Sequence, residues 1–120
     1  MSEEVIPYLG QLPLPSHSLF LQKLEAQLAK DLYPIDWGEL TAEPTPVGIV
    51  NRLNEVVLRL IQEHSSSLGQ VLYRIDIPEG KIRSLMSSTP AAERVSVLVV
   101  EILEREAKKI WLRMHFSQNA

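Results

Sequence analysis

From Pro90 to Phe116 the chain reads PAAERVSVLVVEILEREAKKIWLRMHF, apolar nearly all round at first and one-faced further on. At about 100° per residue, Val95, Val99, Ile102, Leu103, Ala107, Ile110 and Met114 share one broad face, with Glu101, Glu104, Arg105 and Lys108 opposite. That pattern predicts the central packing helix of a small bundle.

Upstream, Phe20, Leu24, Leu28 and Leu32 recur at i+4 with Leu21 beside them. This predicts a first helix, capped by Ser16 or Ser18 and stopped at Tyr33-Pro34, because the residue before proline is driven out of the helical region. Residues 33–46 hold three prolines and a glycine and read as a loop. Thr45-Pro46 opens a second helix with a cap followed by proline at the first helical position. Its face is Val50, Leu53, Val57, Leu60 and Ile61, and the same phase carries through His64 to Leu68, Val71, Leu72 and Ile75. The weak helix formers Ser65–Ser67 and Gly69 predict a kink or short break on that axis. Asp76, with Glu79 three residues on, reads as a capping-box variant opening a short helix from about Ile77 to Ser87, with Ile82, Leu85 and Met86 inward. Thr89-Pro90 repeats the Thr45-Pro46 device.

The fold this predicts is all-α. It is a bundle of four to five helices in one domain over residues 16–120, preceded by a Pro-rich arm over residues 1–15. An α+β alternative rests on VLYRIDI and RVSVLVV, whose β-branched residues suit strands. Against it stand the helical pairs Glu101–Arg105 and Glu104–Lys108 and the lack of a hairpin-turn dipeptide between the two segments. In the arm, Pro7, Pro13 and Pro15 favour extended backbone, while Ile6, Tyr8, Leu9, Leu12 and Leu14 are too apolar for a solvated tail. The arm therefore reads as a strap over an apolar surface, on its own domain or on a second subunit.

Composition narrows the function more than it names it. At 120 residues and 45% hydrophobic, the chain can bury a core without metals or disulfides. A net charge of −3 gives no overall attraction for nucleic acid or an anionic membrane. With no cysteine there is no thiol catalysis and no cysteine-based zinc site, and a reducing compartment fits. The start MSEEVIPYLG has acids where a secretory signal carries bases, so none is expected there, and no run reaches the ~20 apolar residues of a membrane helix. A cytoplasmic location is the expectation. His17, His64 and His115 have no metal-ligand spacing, and no phosphate cradle, nucleophile elbow or other cofactor motif is present. His64, on an apolar stripe, reads as a satisfied core histidine.

Two charged residues fall on apolar stripes. Glu106 sits among Ile102, Leu103 and Ile110, and Arg74 sits inside VLYRID. An isolated buried charge is costly, so the expectation is one buried Arg74–Glu106 pair between helices. Arg105, Lys108, Lys109 and Arg113 form a basic flank that reads as a solvated face near a helix C-terminus. Trp37 in its loop reads first as a lid over the core edge. Ile6, Tyr8, Leu9, Leu12, Trp37, Trp111 and Leu112 together amount to more apolar surface than a small domain readily absorbs, and they are the candidate interface residues.

LYRIDIPEGKI, followed by VVEILEREAKKI, resembles a group of small bacterial helical proteins that share an LYRID stretch and a final AELIIER-like helix. The resemblance covers roughly residues 49–113. It implies an all-helical fold and carries no activity and no site residues. Two functional expectations stand. The first is a non-enzymatic, self-associating protein-interaction module with no cofactor, no nucleic acid and no membrane partner. The second is a ligand-binding or enzymatic bundle in which Glu106, Arg74, Tyr73 and His64 converge on an internal polar pocket.

Overall fold

A computed structural model describes residues 18–119, with side chains from Ser18 to Met114. The arm, with Ile6, Tyr8, Leu9 and Leu12, lies outside the described residues, as do His17 and the His115 side chain. Among the described residues five α-helices follow one another: α1 Ser18–Asp31, α2 Pro46–Glu63, α3 Leu68–Ile75, α4 Glu79–Ser88 and α5 Arg94–Asn119. Short 3-10 turns at Ser65–Ser67 and Ala91–Glu93 lead into α3 and α5. Among the described residues there is no strand, so the β-branched runs VLYRIDI and RVSVLVV are not strands. Their side chains serve helical faces, with Val71, Leu72, Ile75, Leu98 and Val99 all buried.

α5 is the axis of the bundle. α1 and α2 lie along it and α3 closes against it. Its buried stripe of Leu98, Val99, Ile102, Leu103, Ala107, Ile110 and Met114 meets Phe20, Leu24 and Leu28 of α1 and Ile49, Leu53, Val56 and Leu60 of α2 in one core. Spacing by 3 and 4 puts these side chains on one face, and covering that face drives the helices together. No helix of the described residues is long and apolar enough to cross a membrane.

The local signals resolve individually. Thr45 caps α2, its hydroxyl accepting from Gly48 N at 3.0 Å, with Pro46 in the first turn. Thr45→Ala should therefore cost about 1 kcal/mol in thermal or urea unfolding; a loss within error would show that the hydroxyl adds nothing to the start of α2. The break falls at His64, half-buried with φ −136° and ψ 40°, and the axis resumes at Leu68. Asp76 is a correction. It ends α3 in the left-handed conformation, φ 73°, instead of capping the next helix, and Pro78 precedes α4 with no side-chain cap. Aspartate tolerates that conformation, and its amide satisfies the last carbonyls of α3.

The connection from Leu32 to Thr45 is pinned to α1 by one buried carboxylate. Glu25 accepts from Trp37 Nε1 at 3.2 Å, Thr41 N at 2.9 Å and Thr41 Oγ1 at 3.1 Å. Trp37 is 3% exposed, with the Arg52 guanidinium over its ring. The lid reading is right and the interface reading is corrected, since a buried indole with its N–H satisfied offers no contact surface. Trp111 is half-buried and packs on the core, and Leu112 is half-buried, so the expected patch there is partly absorbed.

Candidate functional site: a buried acid pair beside a basic-rimmed groove

The C-terminal end of α1 and the middle of α5 run antiparallel, which brings Asp31 beside Lys109 and Gln27 beside Arg113. Glu106 is fully buried and Asp31 is 3% exposed. Lys109 Nζ stands 2.9 Å from Glu106 Oε2 and 3.4 Å from Asp31 Oδ2. Gln27 Nε2 donates to Asp31 Oδ2 at 2.8 Å, and Arg113 donates to Gln27 Oε1 at 3.0 Å. The chain of contacts thus runs from the core, through Asp31 and Gln27, to the surface.

The expected Arg74–Glu106 pair does not form. Arg74 is exposed and donates to the backbone carbonyls of Asp31 and Tyr33, both at 2.9 Å. There it satisfies acceptors left open at the end of α1, which a guanidinium fork does readily. Glu106 is buried as the periodicity indicates, but its neighbours are Lys109 and Asp31. Tyr73 is 86% exposed and turned to solvent, so it is no part of this buried group.

The cluster holds more acceptor than donor. The Lys109 contact with Glu106 is close, yet neither Glu106 oxygen receives a well-aligned hydrogen bond. Ionised, Glu106 is an acceptor only; protonated, it is a donor, and Asp31 is the acceptor beside it. Burial pushes the Glu106 carboxyl up, and its hydrogen bond to the neighbouring Asp31 adds to that, reaching about 8. Burial works against Asp31 ionising as well, but hydrogen bonds from Glu106 and Gln27 and the charge of Lys109 outweigh it, so Asp31 is held below the usual carboxylate range. Lys109 is raised, its burial outweighed by Glu106 and then Asp31. The opposite shifts favour a protonated Glu106 beside a charged Asp31 at neutral pH, with Lys109 balancing the charge.

Next to this cluster a groove of about 540 Å³ opens between α1 and the C-terminal part of α5. Leu19, Ala26, Ile110 and Met114 form its apolar surface, and Lys23, Lys30, Gln27 and Arg113 its polar rim. Leu19 is 45% exposed. All three charged rim residues are cationic on a chain of net charge −3. The basic flank of α5 is therefore divided. Lys109 turns inward, Arg105 pairs with Asp76, and Arg113 joins the groove. Glu101 pairs with Lys81 of α4 at 2.9 Å, across helices and not with Arg105 along its own.

Sequence reading missed the groove because its two walls come from opposite ends of the chain. Lys23 and Lys30 alone look like ordinary solvated residues of α1. Among the described residues no group of three or more acidic or histidine side chains is placed to hold a metal ion. Comparison with protein-family models, with curated proteins and with solved structures finds no match.

Proposed function

We propose that this protein is a non-enzymatic protein-interaction module that self-associates through the groove between α1 and α5. The observation that carries the reading is the groove itself, an apolar trough between Lys23, Lys30 and Arg113. A trough of this kind suits a segment with apolar side chains for the floor and acidic ones for the rim. The charge balance supports a partner of the chain's own composition, because the groove is locally basic while the chain as a whole is acidic.

The polar groups weigh against a catalytic or ligand-binding bundle. In the internal cluster Gln27 is committed to Asp31, and Lys109 to both carboxylates. Each is engaged with a neighbour, where an internal ligand site needs groups aimed into a shared cavity.

Sedimentation velocity across a concentration range is the test. The chain should form a dimer whose dissociation constant rises about five- to thirtyfold in Lys23→Glu/Lys30→Glu, each reversed cation contributing on the order of 0.5–1 kcal/mol. High salt should weaken the same association. A strict monomer at all concentrations sinks the reading.

A further inference from the structure

The self-association reading leaves open which segment fills the groove, and the chain carries one of the right chemistry. Helix α1 begins at Ser18, and Leu19, the next residue, already belongs to the groove wall. The 17 residues before it, MSEEVIPYLGQLPLPSH, contain Glu3 and Glu4 and no lysine or arginine. Their apolar positions include Ile6, Tyr8, Leu9 and Leu12. This is the complement of an apolar floor with a cationic rim.

The lengths agree. Along α1 the groove runs from Leu19 to Lys30, a rise of about 16 Å at 1.5 Å per residue. Ile6 to Leu12 in extended polyproline form spans about 19 Å at 3.1 Å per residue, which places Glu3 and Glu4 beyond one end of the trough.

The local sequence before α1 bears on whose groove is filled. In Leu12-Pro13-Leu14-Pro15 both prolines have a fixed φ, and both leucines precede a proline, which holds them in the extended region. Four consecutive residues so restricted leave little freedom to bend within that stretch. Folding the arm back onto its own helix would require the whole reversal within Ser16 and His17.

We propose that the arm of one chain lies in the α1–α5 groove of a second copy, Ile6 to Leu12 along the floor and Glu3 and Glu4 just past one end beside the rim cation there, and reciprocally, so that exchanged arms close a two-fold dimer. This inference rests on the self-association reading and gives it a residue-level form.

The absence of cysteine makes the test direct, since Gln11→Cys in the full chain carries a single nitroxide label between Leu9 and Leu12. Spin-labelled chain at natural isotope abundance is mixed and equilibrated with unlabelled, nitrogen-15 chain at a concentration where the dimer forms. Amide signals of Leu19 to Lys30 and of Ile110 to Met114 should be lost from the nitrogen-15 partner, while those of Val47, Leu58 and Tyr73 persist. Lys23→Glu/Lys30→Glu in the nitrogen-15 partner should restore them. Signal loss confined to a sample in which label and nitrogen-15 share one chain would overturn the exchange, because the arm would then occupy its own groove. A dimer in sedimentation with no loss at the groove overturns the arm as occupant and leaves the self-association reading standing. A monomer throughout, with no loss in the mixed sample, removes both.

Discussion

Replacing Glu106 with glutamine should stabilise the protein at pH 8 by on the order of 3 kcal/mol, while leaving it within about 1 kcal/mol of the parent at pH 5. The sign follows from the buried acid pair. Folded Glu106 is raised from 4.5 to about 8, so between those values the folded chain holds a proton that the unfolded chain has released. Its contribution is complete below pH 4.5 and is lost as pH rises through 8. Asp31 has the opposite sign. Its lowered folded value gives stability above 3.8 that disappears as pH falls through that folded value. The two together place the maximum near pH 4–5, more acidic than is usual for a globular protein. Glutamine keeps an N–H to donate to Asp31 and cannot ionise, so the decline between 4.5 and 8 should vanish in the variant. Urea unfolding of both proteins at pH 5, 6.5 and 8 measures the difference. Parallel profiles would mean that Glu106 does not hold its proton in the fold.

The second large effect concerns Lys109. Lys109→Met retains the aliphatic stem and removes the ammonium that lies 2.9 Å from Glu106 and 3.4 Å from Asp31. Asp31 would then keep a nearly fully buried charge without its nearest counter-ion, at a cost on the order of 3–5 kcal/mol. Adding Asp31→Asn should recover a large part of that loss, because the remaining group is neutral and still accepts from Gln27. A double-mutant cycle by urea unfolding at neutral pH reads the coupling directly. If Lys109→Met costs under about 1 kcal/mol, Gln27 and Glu106 alone satisfy Asp31, and the lysine is a bystander.

Helix faces were legible from sequence because they depend on near neighbours. The stripe of α5, the Thr45-Pro46 start and the break after Glu63 all follow from spacings of a few residues. Glu106 stood out for the same reason, as an acid on an apolar face. Its partners did not, because Lys109 reaches Asp31 across 78 residues and periodicity carries no information on which helices touch. Arg74 was paired with Glu106 because it too falls within an apolar stripe, yet it serves backbone acceptors at the end of α1. One local clue pointed to Asp31. An aspartate in the last position of a helix opposes the helix dipole, and that mismatch marks a residue held there by something else. Asp76 misled because an Asp with Glu three residues on also fits a left-handed helix end, and the choice turns on where the preceding helix stops. The groove could not be read at all, since each wall is unremarkable without the other.

Among the described residues α5 is the last helix, and it is also the surface that α1 and α2 share. During synthesis the faces of Phe20, Leu24 and Leu28, and of Ile49, Leu53 and Leu60, leave the ribosome before the helix that covers them has been made. Folding therefore waits for nearly the whole described chain, and a nascent chain stalled before Arg94 presents two uncovered apolar stripes to chaperones and to its neighbours on a polysome.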